Sequence, residues 1–116
     1  MKLAEVLEAL SLAVDDPEML DIEVEGGYCS DLLSDVMAKA AAGSIWVTNL
    51  AHPNVVAVAS LIDAAAVIVA GGVQPEEGTV NKAQELGIPL FSTDLSAFDV
   101  VGRLYELGVR GSLRNG

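Results

Sequence analysis

One histidine, one cysteine and a few acidic and hydroxyl side chains are the groups in this chain that could carry out chemistry. His52 lies in the segment TNLAHPNVV (48–56), between a predicted strand and a predicted helix. An imidazole there can act as a general base, contact a ligand or cap the helix. A nucleophile would have to lie beside this base, and the spacing does not distinguish between Cys29, Ser30 and Ser92. One histidine and one cysteine do not form a metal-ligand motif, so no metal site is predicted.

Asp94 is the second candidate, because it is the last residue of a predicted strand. It could accept a phosphoryl group, position a ligand or cap the next helix. Phosphoryl transfer would also need a metal-binding acidic pair and a lysine nearby, but Lys39 and Lys82 fall late in predicted helices. The chain contains neither a P-loop motif nor the G-x-G-x-x-G fingerprint of dinucleotide enzymes. We therefore expect a protein that is not an enzyme and assign no catalytic residue; the sequence does not identify a cofactor.

Four successive strand–helix units must position these residues. The predicted pairs are strand 19–27 with helix 30–43, strand 44–49 with helix 52–63, strand 64–72 with helix 75–87, and strand 88–94 with helix 95–108. A helix over 2–10 and a short strand over 11–14 precede them. The alternation predicts an α/β protein: one three-layer α/β/α domain over residues 1–116, with a mostly parallel sheet of four to five strands. Residues 110–116 are expected to form a frayed tail.

The loops that follow parallel strands emerge at one edge of a sheet, where ligands characteristically bind. The polar and glycine residues of these loops are therefore the predicted ligand-binding set: Gly27, Asn49, His52, Asn54, Gly71, Gly72, Thr93 and Asp94. Gly71 and Gly72 either form a tight turn or let a ligand approach the backbone, where the following amides could hold an anion. His52 is expected to cap its helix or contact the ligand, with a neutral ring at a helix N-terminus.

Composition excludes several classes of protein. The chain has 17 acidic and 6 basic residues, a net charge of −11, so nucleic-acid binding is not expected. The longest apolar run is half the length of a membrane span, and one cysteine suits a reducing cytoplasm, so a cytoplasmic protein without membrane association is predicted. Six acidic residues between positions 15 and 25 form either a solvated loop and edge strand or an acidic docking surface; no ligand spacing supports a cation site there.

The predicted helix over residues 53–63 is apolar on nearly every side. Such a helix must bury more than one face, which favours coverage by a second subunit, most simply in a two-fold dimer. The alternative is a helix packed tightly between its neighbours and the sheet of the same chain.

Four segments of the chain resemble the DRTGG domain family across roughly residues 20–107. They are GGYCSDLLSDVMA, HPNVVAVASL, AAAVIVAGG and GIPLFSTDLSAFDVVGRL, and they occur in the same order and at the same spacing. The family is similar to the N-terminal domain of HPr kinase/phosphorylase, and the resemblance implies a fold like that domain and like MurF. Members also occur fused to CBS domains and in some phosphotransacetylases, as regulatory modules, and some stand-alone members are encoded beside iron-only hydrogenase genes.

The family's name motif is only partly present. Its final Gly-Gly corresponds to Gly71 and Gly72, with Ala70 in place of the threonine, while its Asp-Arg part corresponds to His52 and Pro53. The guanidinium that would grip an anion is therefore missing, and His52 with backbone amides would have to replace it. Kinase activity belongs to a P-loop domain of HPr kinase, so it is not expected here. The resemblance implies a regulatory module that senses a small, anionic ligand; the alternative is an interaction or assembly accessory protein, associated with a hydrogenase, that binds a protein partner and no small ligand.

Overall fold

The computed structural model describes residues 1–14 and 16–114 and contains one sheet of four parallel strands. The strands lie in the order β1-β2-β3-β4 and span Gly26–Cys29, Ser44–Thr48, Ala66–Val69 and Leu90–Ser92. The helices are α1 (Leu3–Ala9), α2 (Leu33–Lys39), α3 (Asn54–Leu61), α4 (Glu77–Leu86) and α5 (Ala97–Leu107), with a short 3-10 helix at Pro17–Asp21. Because every strand runs the same way, all four carboxyl ends meet at one edge.

The two central strands, β2 and β3, are buried on both faces. On one face their side chains pack against α1 and α5 around Ile45 and Ile68. On the other face Trp46, Val67 and Val69 pack against α2 and α3, and α4 lies beside α3. The predicted three-layer α/β/α class is therefore confirmed. β-branched residues suit strands covered on both sides, which explains the Val- and Ile-rich runs at these positions.

Helix α3 is covered within the chain itself. Its residues Val55, Val56, Val58 and Ala59 are buried, because the helix lies on β3 between α2 and α4. Leu61 is its large exposed apolar side chain, with 66% of its surface accessible. The structure thus matches the alternative of a helix packed between its neighbours, and α3 gives no reason to expect a second subunit.

The first strand differs from its prediction. Residues 19–25 form the end of the 3-10 helix and an extended segment, and β1 begins only at Gly26. Pro17 starts the 3-10 helix, whose first turn is capped by the Asp16 carboxylate accepting from the Glu18 amide (3.0 Å). The predicted short strand over 11–14 is absent from the described residues of that segment, because Ser11 takes a left-handed turn (φ 55°).

The C-terminal segment lies along β1 and then against the end of α2 up to Arg114, whereas a frayed tail was expected. The Gly27 amide donates to the Arg110 carbonyl (3.0 Å), and the Gly27 carbonyl accepts from the Ser112 amide (3.1 Å). A Cβ atom on Gly26 would overlap the Ser112 side chain, so glycine is required for this close approach. The segment covers the outer edge of β1, while residues 115 and 116 lie outside the described part of the chain.

None of the helices that the structure describes combines the length and the apolar run needed to cross a membrane.

Candidate functional site

Four loops meet at the carboxyl edge of the sheet, and we call this surface the rim (residues 30–32, 49–53, 70–76 and 93–96). A Cβ on Gly71 would lie 3.3 Å from Oδ1 of Asn49, and one on Gly72 would lie 3.6 Å from Oδ1 of Asp94. Residues 49, 71, 72 and 94 are thus brought together from three loops, as the parallel arrangement predicts. The Asn49 and Asp94 side chains are exposed, so both can reach a bound molecule.

Asp31 organises the rim and was not among the predicted site residues. Its Oδ1 accepts hydrogen bonds from Oγ1 of the buried Thr48 (2.7 Å) and from the amide of Asn49 (2.8 Å). The carboxylate therefore fixes the loop after β2 from the loop after β1. The pair Ser30 and Asp31 directly after a strand could have indicated this role, but the same pattern is typical of a helix cap.

Gly71 and Gly72 form a turn that joins two loops of the rim. Both have left-handed backbones, with φ of 78° and 75°. The Gly71 amide donates to the Leu95 carbonyl (2.7 Å), and the Gly72 amide donates to the Thr93 carbonyl (3.0 Å). These two amides are consequently occupied within the protein. The pair thus forms the tight turn of the first interpretation; the second interpretation concerned the amides that follow the pair, which these two hydrogen bonds do not involve.

His52 caps the start of α3. Its Nδ1 accepts a hydrogen bond from the amide of Asn54, the first residue of the helix, at 3.0 Å. A nitrogen that accepts carries no proton, so Nε2 is the ring atom left to contact a ligand. The preceding carbonyl, of Ala51, accepts from the Glu76 amide (3.1 Å) and from Oγ1 of Thr79 (2.5 Å), which ties this loop to α4.

Three predicted residues have more limited roles. Oγ1 of Thr93 accepts from the Leu95 amide (3.2 Å) and closes the turn after β4. Asn54 is exposed at the start of α3, beside His52. Gly27 does not belong to the rim: it lies inside β1, paired in register with Ile45, and its backbone serves the C-terminal segment. Its placement in a loop followed from the misplaced first strand.

The charged side chains of the rim are acidic. Its four loops contain Asp31, Glu76 and Asp94 and no lysine or arginine. In the part of the chain that the structure describes, no three His, Cys, Asp or Glu side chains come close enough together to hold a metal ion. The rim therefore offers carboxylate, amide and carbonyl acceptors, together with the Asn49 amide group and Nε2 of His52 as donors.

Two cavities lie away from Asn49, Gly71 and His52. One of about 430 Å³, which we call the α5 groove, has walls from β1, α5 and the C-terminal segment and includes Cys29, Tyr105 and Arg110. The other, of about 530 Å³, lies between α4, β4 and the 3-10 helix, and Gln74 and Pro75 of the rim also line it. Sequence reasoning missed the α5 groove because one of its walls is the segment that was expected to be frayed.

Cys29 lines the α5 groove. Partial desolvation and, secondarily, the nearby Asp31 carboxylate raise the pKa of its thiol above the ordinary value. A thiol with a raised pKa is mainly protonated at neutral pH, and the protonated form is a poor nucleophile. These surroundings suit a packing role better than a reactive one.

Comparison with known protein families and with curated proteins found no match. The DRTGG resemblance therefore rests on the quoted segments alone.

Proposed function

We propose that this protein is a non-catalytic regulatory module of the DRTGG type, located in the cytoplasm, that binds a small molecule at the rim. The observation that carries the proposal is the meeting of Asn49, Gly71, Gly72 and Asp94, contributed by three separate loops. Loops fixed on a rigid sheet are a common way to present ligand-binding groups. The Asp31 hydrogen bonds add to this support, because they hold Asn49 in place before any ligand arrives.

The chemistry of the rim favours a ligand that donates hydrogen bonds. An anion would face the carboxylates of Asp31, Glu76 and Asp94 without a compensating lysine or arginine in these loops. The amides of Gly71 and Gly72 donate within the protein, so these two groups add no donors for an anion. We therefore favour a neutral or cationic molecule, such as an amine or a nucleoside, over the anionic ligand expected from the sequence.

The surroundings of the nucleophile and base candidates support a non-catalytic role. Nδ1 of His52 is engaged in capping α3, which leaves this nitrogen unable to take up a proton without losing the cap. The raised pKa of Cys29 keeps its thiol protonated.

A thermal-shift screen tests the proposal, using amines, nucleosides, amino acids, nucleotides and inorganic anions. A ligand that binds the folded state raises the Tm by mass action. The variant Asp94→Asn should reduce the shift caused by a bound amine. The matched control Asp63→Asn removes the same charge at the opposite edge of the sheet, before β3, and should leave the shift unchanged.

Two results would contradict the proposal: no compound of any class shifts the Tm, or Asp94→Asn and Asp63→Asn weaken binding equally. A Tm shift caused by anions alone would still support a binding site at the rim, but it would show that the ligand is an anion.

The second candidate is an interaction or assembly protein without a small ligand. Exposed aromatic side chains on α5 favour it, because such a surface suits contact with a macromolecule. Co-purification of a stoichiometric partner, together with a flat thermal-shift screen, would support this candidate over the first.

A further inference from the structure

Helix α5 carries an apolar surface that the chain does not cover. Val100 and Leu104 are buried against the sheet, whereas Phe98 is 86% exposed, Tyr105 58% and Val101 38%. Residues three, four and seven positions apart lie on one side of a helix, so Phe98, Val101, Gly102 and Tyr105 form a single strip, which we call the α5 face. The chain has only five aromatic residues, and two of them are exposed here.

The α5 face has a palindromic order of side chains. In the segment FDVVGRLY (98–105), two aromatic residues stand at equal distances from a centre between Val101 and Gly102. If two copies of α5 pack antiparallel about a two-fold axis at this centre, Phe98 of each copy lies opposite Tyr105 of the other. Val101 then lies opposite Gly102. A two-fold interface requires a surface that is complementary to itself, and this order of residues meets the requirement.

Gly102 allows the two helices to approach closely. No heavy atom lies within 4 Å of the position that a Cβ on Gly102 would take, so the space above it is open. Glycine in the middle of a helix destabilises the helix relative to alanine. Close packing of a second helix against this position would offset that cost and would accept the Val101 side chain of the second copy.

The charges at the two ends of α5 are complementary in the antiparallel arrangement. Asp99 lies in the first turn of the helix, and Arg110 follows its end, with its guanidinium 3.7 Å from the centre of the Tyr105 ring. Antiparallel pairing brings Arg110 of each copy beside the acidic end of the other copy, so the attraction occurs at both ends of the interface. Glu106 is also exposed at the basic end and opposes the attraction in part. For a chain with a net charge of −11, such pairing matters, because two copies otherwise repel each other.

We propose that the α5 face is the interface of a homodimer in which two α5 helices pack antiparallel about an axis between Val101 and Gly102. An aromatic side chain contributes about 150–250 Å² when fully buried. The two exposed aromatic residues of each copy therefore supply a substantial part of the roughly 1,200–2,000 Å² that a stable interface buries. The exposed Leu113, on the wall of the α5 groove, extends the same surface.

Sedimentation equilibrium of the full chain over a wide concentration range tests the interface. The wild-type protein should be a dimer, and Phe98→Ser should weaken the dimer at least about thirtyfold, as expected for a buried aromatic anchor. Phe98 is so exposed that this variant should keep the fold, which a circular dichroism melt checks. The matched control is Leu61→Ser, which removes a 66% exposed apolar side chain from α3 and should leave the dimer intact.

Disulfide trapping tests the antiparallel geometry. In a Cys29→Ser background, the variant Gly102→Cys places a thiol next to the two-fold axis and should form an intermolecular disulfide under mild oxidation. Leu61→Cys in the same background should stay monomeric on a non-reducing gel.

Several outcomes would overturn the proposal. One is a wild-type protein that stays monomeric at all concentrations, even if it binds a different protein. The others are a dimer that survives Phe98→Ser and cross-linking through position 61 but not through position 102. A failure of the dimer can be distinguished from a failure of the ligand site, because the thermal shift of the Asp94→Asn variant reports on the rim separately.

Discussion

At the scale of single residues, Gly71 is the position of the rim where another side chain would be most disruptive. Its backbone is left-handed (φ 78°), and a Cβ would press within 3.3 Å of Oδ1 of Asn49. Gly87, at the end of α4, has a similar backbone (φ 69°) but nothing within 4 Å of its Cβ position. Comparing substitutions at the two glycines therefore separates the free-energy cost of a left-handed backbone from the cost of the contact with Asn49.

We expect Gly87→Ala to lower the free energy of unfolding by about 1–2 kcal/mol, the usual cost of a left-handed alanine. Gly71→Ala should cost more, because it adds the clash with Asn49. Urea unfolding followed by the fluorescence of Trp46, the single, fully buried tryptophan, measures both changes. Equal costs would mean that Asn49 moves away freely and that the rim is not held as described.

The pair Tyr28 and Asp35 gives a prediction about pH. The Tyr28 hydroxyl donates to Oδ2 of Asp35 at 2.7 Å, and Lys39 lies 3.2 Å from Oδ1. The hydrogen bond from Tyr28, followed by that from Lys39, lowers the pKa of Asp35, and the same bond raises the pKa of Tyr28 to about 12. A carboxyl with a lowered pKa stabilises the fold above its ordinary pKa, and this contribution is lost as the pH falls through the lowered value.

Tyr28→Phe should therefore reduce stability near neutral pH, and the difference from wild type should shrink as the solution becomes acidic. On the alkaline side, an absorbance titration of the folded wild type should show a tyrosine ionising near pH 12, which is absent from the variant. In an Asp35→Asn background, Tyr28→Phe should lose the acid dependence. A difference that is constant across the acidic range would show that the hydrogen bond is not formed in solution.

At the scale of elements, local patterns predicted those parts of the fold that depend on local sequence. β2, β3 and β4 lie within their predicted segments, and α4 and α5 end at Gly87 and Gly108, both left-handed as C-terminal glycines commonly are. β1 could not be fully placed in this way: one edge pairs with the nearby β2, but the segment on its other edge is more than 80 residues away in the chain. The pairing of Gly27 with Gly111 depends on space around a backbone, which periodicity does not reveal.

The contact between β1 and the C-terminal segment can be tested through Gly26. A Cβ at this position would overlap the Ser112 side chain and press on the Arg110 carbonyl, so Gly26→Ala should displace the segment. Hydrogen exchange at the Gly27 and Ser112 amides should become faster. The control Gly111→Ala, in the segment itself, has nothing within 4 Å of the new Cβ and should change the exchange little. Unchanged exchange in Gly26→Ala would contradict the close packing.

At the rim, too, features that follow from the order of the elements were predicted, and features that depend on packing were not. Asn49, Gly71 and Asp94 each follow a strand, so a parallel sheet was sufficient to predict that they meet. The bond from Asp31 to Thr48 and the exposure of Phe98 were not predictable, because each depends on how neighbouring loops and helices pack. The sequence alone does not show which side of α5 faces solvent.

At the scale of the whole molecule, the net charge of −11 dominates. Like charges destabilise a compact state and are screened by salt, with a screening length of about 10 Å at 0.1 M. We expect moderate sodium chloride to raise the Tm, and potassium chloride to raise it equally, because screening does not depend on the cation. A Tm that falls with salt would indicate that the few ion pairs, such as Lys2 with Glu23 at 3.3 Å, outweigh the repulsion.

The two hydrogen bonds from the glycine turn to the loop after β4 connect the proposed ligand site with the proposed dimer. Gly71 and Gly72 donate to Leu95 and Thr93, and Ser96, the next residue, caps α5 by accepting from the Asp99 amide (3.1 Å). A molecule that shifts this turn would thus act on the start of the pairing helix. By thermodynamic reciprocity, a compound that favours association by some factor must itself be held more tightly by the associated form, by the same factor.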